Sequence, residues 1–199
     1  MGTFYKDIGI DGLSDYCKGI MYASGCIIRA GGMRYLCVRN IDKWYAECVG
    51  KETGYTPYPS VHNIERDGRP QWTVKPRNMQ EMPDIRSAKN TADFIRPYLE
   101  LHSTLDTVKA GNARKVRLRI YGKEEFLSII MYCIPAKPKK IQKISNRIRS
   151  EGGEYIGKTC AIYYQSRKEI EQILNYINGY PRNDVVWDKW CSVMDETDT

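Results

Sequence analysis

The sequence predicts an α+β protein built from two αββαββα repeats of antiparallel strands, a pseudo-dimer within one chain. Three observations predict it. The chain resembles itself at offsets of 78 and then 82 residues. Helical spacing of apolar residues gives way to alternating spacing in the same order in each copy. Glycine-bearing turns separate the alternating stretches.

At the offset of 78, Asp15 falls on Asp93, Tyr16 on Phe94, Lys18 on Arg96, Ile20 on Tyr98, Met21 on Leu99 and Ala23 on Leu101. These stretches predict a first helix over about 14–24 and its counterpart over 91–102. A hairpin follows, turning at "RAGGMR" in one copy and "KAGNAR" in the other. From there the offset becomes 82. "RYLCVRNIDKWYAECV" lies over "VRLRIYGKEEFLSIIM", with Leu36 on Leu118, Val38 on Ile120, Asn40 on Gly122, Asp42 on Glu124 and Trp44 on Phe126. The changed offset reads as a hairpin loop four residues longer, "VKAGNARK", in the second copy. A second amphipathic helix is expected over 41–49 and over 123–133, then another strand pair. "QWTVKPR" and "CAIYYQSR" take corresponding places there. A third helix is predicted for "RKEIEQILNYI", where Ile170, Ile173, Leu174 and Ile177 recur at helical spacing.

The resulting organisation is an N-terminal arm (1–13), a first repeat (14–75), a polar linker with two prolines (76–90), a second repeat (91–178) and a tail (179–199). In the tail, Trp187 and Trp190 are expected to pack back on the body and leave an acidic end free.

At 199 residues and 42% hydrophobic content the chain can bury a real core. The start lacks a basic region followed by an apolar run, so no signal peptide is expected. No stretch reaches the roughly 18 apolar residues of a membrane span. The seven cysteines (17, 26, 37, 48, 133, 160, 191) are scattered without a C-x-x-C pair, and His62 and His102 are the two histidines. A zinc site is not expected. The thiols read as small apolar groups in a reducing, cytoplasmic protein, a monomer with internal pseudo-symmetry.

Two phrases mark the first helices, "YCKGIMYASGCII" (16–28) and "FIRPYLELHSTLD" (94–106). With "RLRIYGKEEFLSII" and "PKKIQKIS" in their places after them, the chain from Ser14 to Ile177 resembles the LAGLIDADG homing endonuclease family. The resemblance implies a pseudo-twofold saddle of antiparallel sheets gripping a DNA major groove, with the two motif helices side by side. The motif letters fall on 17–25 and 96–103. Gly19, Ala23 and Gly25 keep small residues at the helix contact. Pro97, Leu101 and Ser103 replace them in the second copy, so a looser or differently shaped contact is expected, with a kink at Pro97. The family's catalytic acids would stand at Ser24 and His102. Neither residue supplies the oxygen anion that a hard cation such as Mg2+ takes, so no intact catalytic residue and no metal site are expected. Glu100 and Asp106 are the substitutes to consider, and Mg2+ would be a cofactor only if they rebuilt a site. Glu100, two residues before His102, should face elsewhere on the helix. His102 itself is a conceivable general base, although a histidine ending a helix is commonly structural.

Net charge is +7, and its pattern decides what it means. Lys115, Arg117 and Arg119 alternate with Val116, Leu118 and Ile120, which predicts one basic strand face and one packed face. In "KIQKISNRIR", read as a single strand, Lys143, Ser145, Arg147 and Arg149 share a side, with Lys137, Lys139 and Lys140 before it. The first copy offers Arg29, Arg34, Arg39, Arg66, Arg69, Lys75 and Arg77. The bland reading is a solvated sheet face. In a repeat resembling duplex-binding proteins, double-stranded DNA is the expected partner, with arginines at guanines and lysines at phosphates. A membrane is not. An aromatic platform for single strands lacks an ordered fingerprint. Two alternatives stay open: an altered-site endonuclease or nickase, and a phage-type inhibitor whose partner is a host nucleic-acid-handling enzyme. The resemblance suggests phage or mobile-element origin.

Overall fold

The computed structural model describes residues 9–65, 67–111, 113–144, 147–150, 153–156 and 159–196. Chain contacts divide it into two compact units, one running to Leu101 and the other beginning at His102.

In the first unit, α1 (Asp15–Ser24) starts where the Ser14 hydroxyl accepts from the Cys17 N–H. It runs straight into β1 (Gly25–Ala30), which pairs with β2 (Met33–Asn40) from Gly25↔Val38 to Ala30↔Met33. The two residues left to turn are Gly31 and Gly32, at φ +58° and +75°, a geometry L side chains rarely adopt. α2 (Lys43–Thr53) begins at the Asp42 cap and ends at left-handed Gly54, four residues later than the apolar spacing indicates. β3 (Tyr58–Ile64) and β4 (Pro70–Val74) complete an antiparallel sheet of order β1-β2-β4-β3. A 3-10 turn over Ile85–Ser87 then leads to α3 (Thr91–His102). Tyr16, Ile20, Met21, Leu36, Val38, Tyr45 and Val49 are fully or almost fully buried together as the core.

In the second unit, β5 (Ser103–Ala110) and β6 (Ala113–Gly122) pair from Ser103↔Ile120 to Ala110↔Ala113. This corrects the hairpin expectation. Both hairpins leave two residues between their closing pairs, and the four inserted residues extend β5 and β6 by two each. Extension wins because alternate inserted pairs gain ladder hydrogen bonds that a longer loop would leave to water. α4 (Glu124–Cys133), β7 (Gln142–Lys143), β10 (Cys160–Tyr164) and α5 (Arg167–Ile177) follow the predicted order, in a sheet of order β5-β6-β10-β7.

"KIQKISNRIR" is not one strand. Its first part is β7, while β8 (Arg147–Ser150) pairs with β9 (Gly153–Ile156) in a separate two-stranded ribbon. The register runs from Arg147↔Ile156 to Ser150↔Gly153, so this stretch pairs with the one after it instead of extending β7. α6 (Asp184–Asp195) follows, with Trp187 and Trp190 buried as expected of the tail. Among the described residues, no helix is long and apolar enough to cross a membrane.

Candidate nucleic-acid interface

The alternation in β6 sorts its side chains. Val116, Leu118 and Ile120 are buried, while Arg117 and Arg119 are partly exposed and Lys115 is exposed. Register carries the open face outward from there. Thr104, Asp106 and Val108 lie opposite Arg119, Arg117 and Lys115, and Tyr163 of β10 lies opposite Arg119 on the other side. Asp106 therefore sits between two cations. Its carboxylate accepts from Arg117 Nε at 3.0 Å and Nη2 at 2.9 Å, and from Arg119 Nη2 at 2.6 Å. Burial pushes the Asp106 carboxyl up, but the Arg117 hydrogen bond and the two positive charges outweigh it and hold the group below the usual carboxylate range. The Arg119 guanidinium also lies 5.9 Å from the Tyr121 ring centre.

Beside this face is a cleft of about 690 Å³, lined by Arg117, Lys139, Lys140, Gln142, Tyr163 and Glu169 among others. Lys139 is spoken for there, donating to both oxygens of Glu169 at 2.8 and 2.7 Å. Lys140 and Lys143 are exposed. Arg147 and Arg149 belong to the β8–β9 ribbon, and their side chains, like Ser145 and Arg66, lie outside the described residues.

In the first unit, Leu36 and Val38 face the helices, so Cys37 and Arg39 take the other face of β2. Arg39 is opposite Thr73, and both Arg39 Nε and Thr73 Oγ1 are buried without a hydrogen-bond partner in the described structure. Lys75 shares that face, its Nζ 5.5 Å from the Tyr58 ring centre, and the Tyr58 hydrogen bond raises its pKa. Arg77 stands 5.9 Å from the Tyr35 ring. Arg29 and Arg34 are brought together as exposed register partners near the hairpin turn, with the same parity as Ile27 and Leu36, away from Arg39. Arg69 is also apart. It lies in an exposed turn and donates to Asp67 from Nε at 2.7 Å.

The motif corners carry no carboxylate. Ser24 Oγ accepts from Asn40 Nδ2 at 3.1 Å, and Asn40 Oδ1 in turn accepts from the Asp42 N–H at 2.9 Å. His102 is the half-buried last residue of α3. Glu100 is buried and points into the helix contact, where it accepts from Tyr16 Oη at 2.7 Å and Tyr45 Oη at 3.3 Å. That burial and the negative charge of Glu100 push the Tyr16 phenol far above its ordinary range. Among the described residues no group of three or more His, Cys, Asp or Glu is placed to hold a metal.

The contact between α1 and α3 is close. A Cβ built on Gly19 would come 2.2 Å from the Phe94 carbonyl oxygen and 2.6 Å from Pro97 Cγ. Pro97 thus fills the groove that Gly19 opens, so of the two expectations the contact is differently shaped rather than looser, and α3 continues as helix through it. The Lys18–Asp15 pair recurs as Arg96–Asp93, each cation nearly fully buried.

No protein-family model and no curated protein matches the chain. Solved structures do. The LAGLIDADG meganuclease I-AabMI bound to uncleaved DNA is 9% identical, aligning over 94% of this chain and 92% of its own with a TM-score of 0.61. Meganuclease I-SmaMI bound to uncleaveable DNA (7%, 92% and 90%, TM-score 0.60) and the homing endonuclease I-GzeII in complex with its DNA target (7%, 92% and 90%, TM-score 0.57) are similar over nearly the whole chain. The chain has the LAGLIDADG homing endonuclease fold. In each four-stranded sheet the cations (Arg39 and Lys75 in one, Arg117 and Arg119 in the other) take the face turned away from the packed apolar residues. Sequence reasoning missed Tyr163, Gln142 and the Asp106 ion pairs. Extending the register implied by the two offsets would have placed Asp106 opposite Arg117.

Proposed function

We propose that this chain binds double-stranded DNA through the open faces of its two sheets and does not cut it, serving as a site-recognition or regulatory factor. The observation that carries the reading is the Arg117–Arg119 pair on an open sheet face, held there by the Asp106 carboxylate. DNA-bound neighbours of the same fold support duplex DNA as the ligand. Arginine on such a face reaches base edges or phosphates with a planar fork of donors, while Lys75, Lys115, Lys140 and Lys143 offer point charges to the backbone.

A metal-dependent cut does not fit these residues. A hard divalent cation takes carboxylate oxygens. The corner oxygen of Ser24 is a neutral hydroxyl held by Asn40, Glu100 is turned inward to two phenols, and Asp106 is neutralised by two guanidinium groups. The test is capture of random duplex fragments by the full chain, then titration of an enriched fragment across a salt series. Affinity should fall with salt at a slope of about −0.9 per phosphate contact. The double change Arg117→Ala and Arg119→Ala should weaken binding by at least about tenfold, two charged contacts at roughly 1 kcal/mol or more each. Equal affinity in that variant, or reproducible Mg2+- or Mn2+-dependent cuts in plasmid DNA that His102→Ala abolishes, overturns the proposal.

A further inference from the structure

Two of the seven cysteines face each other. Cys26 and Cys37 are direct register partners across the antiparallel strands β1 and β2. Their neighbours Ile27 and Leu36 pack toward the helices, so by alternation both thiols stand on the opposite face of the sheet. Directly opposed residues of an antiparallel pair have Cα atoms about 4.5 or about 5.5 Å apart, and a disulfide spans about 4.4–6.8 Å, so the strand spacing is within reach of a bridge. The two thiols differ in access, Cys26 being exposed and Cys37 fully buried. The arrangement belongs to the first repeat alone, because the offsets put Thr104 and Arg119 at the corresponding places of the second.

We infer that Cys26 and Cys37 are a dithiol modification site, converted to a cross-strand disulfide by exchange with a small-molecule disulfide of the glutathione type. The Cys26 thiolate attacks one sulfur of that disulfide, forming a mixed disulfide and releasing one thiolate, which takes up a proton. Cys37 gives its proton to solvent and attacks the Cys26 sulfur. The cross-strand S–S bond forms, the mixed S–S bond breaks, and the second small thiol leaves. Two protein thiols are oxidised and one small disulfide is reduced to two thiols, so electrons balance. Cys26 starts the sequence because it is open to solvent, and Cys37 completes it from the adjacent strand. This goes beyond the DNA reading and does not need it.

The molecule contains its own control. Cys191 on α6 is also exposed but has no cysteine in register with it, since it lies on a helix. The experiment treats the folded full-length protein with mixtures of oxidised and reduced glutathione, quenches with acid, alkylates free thiols and maps the peptides by mass spectrometry. Expected are a Cys26–Cys37 linked peptide two hydrogens lighter than the sum of its parts, and a glutathione adduct at Cys191. Because the second step is intramolecular, the linked form should exceed the Cys26 adduct on the order of tenfold. Cys37→Ala should convert Cys26 to a stable adduct like that of Cys191. The proposal is overturned if Cys26 in the parent keeps its adduct while Cys37 stays alkylatable, if Cys26 links to any other cysteine, or if neither reacts while Cys191 does. Should Cys37→Ala not fold, the parent map decides alone.

Discussion

Asp106→Asn separates the arginine-clamp reading from every alternative use of that carboxylate. The substitution keeps shape and one acceptor oxygen but removes a negative charge whose Oδ2 is 2.9 Å from Arg117 Nη2 and 2.6 Å from Arg119 Nη2. A DNA phosphate held by those arginines would stand about 6 Å from the carboxylate, where an effective dielectric of about 40–80 gives a repulsion of roughly 0.7–1.4 kcal/mol. Freeing the two arginines adds a few tenths more, because partly exposed ion pairs are worth about 0.2–1 kcal/mol each. The variant should therefore bind duplex DNA about five- to twentyfold tighter, with a steeper salt dependence. Fluorescence anisotropy of a labelled duplex, titrated at several salt concentrations, reads both quantities. Weaker binding by the variant would refute the reasoning, since Asp106 would then be contacting DNA bases or a bridging cation rather than restraining the arginines.

Glu100→Ala should destabilise the protein by about 2–4 kcal/mol in urea melts, because a buried phenol loses a charge-assisted hydrogen bond, yet leave DNA affinity within about twofold. A change in affinity without loss of stability would instead return Glu100 to the list of working residues. Gly19→Ala forces a methyl against the Phe94 carbonyl, so overpacking of about 1–3 kcal/mol outweighs the roughly 1 kcal/mol helix-propensity gain; a stabilised variant would refute the close approach. The depressed Asp106 pKa also fixes a pH sign. Its stabilising contribution is complete above the unfolded value of about 3.9 and is lost as pH falls through the lower folded value, so the acid-side drop in urea midpoint should be shallower in Asp106→Asn than in the parent.

Much of this fold was legible because sheet register follows from the two offsets. Shifting Gly25↔Val38 by 78 and 82 gives Ser103↔Ile120, the pairing observed. What stayed hidden depends on side chains meeting across elements. Hydrophobic periodicity says that Pro97 sits on a helix, but not that its ring fills the space left by Gly19. It marks Arg117 and Arg119 as outward, but not that Asp106 already occupies them. The split of "KIQKISNRIR" likewise rests on pairing partners, β10 for β7 and β9 for β8, which strand alternation does not weigh.

The helix α3 has one allegiance in sequence and another in space. It opens the second repeat, yet it packs against α1 and lies almost wholly in the first compact unit: the Asp15 carboxylate accepts from the Asn90 N–H, and Tyr16 donates to Glu100. Severing the gene within codons 76–90 would therefore not yield two autonomous halves. The leading fragment would lose a packing partner and expose its inner wall, whereas a break just beyond Leu101 would leave that wall covered. The two repeats are interdependent at this helix, since one supplies the wall that the other covers.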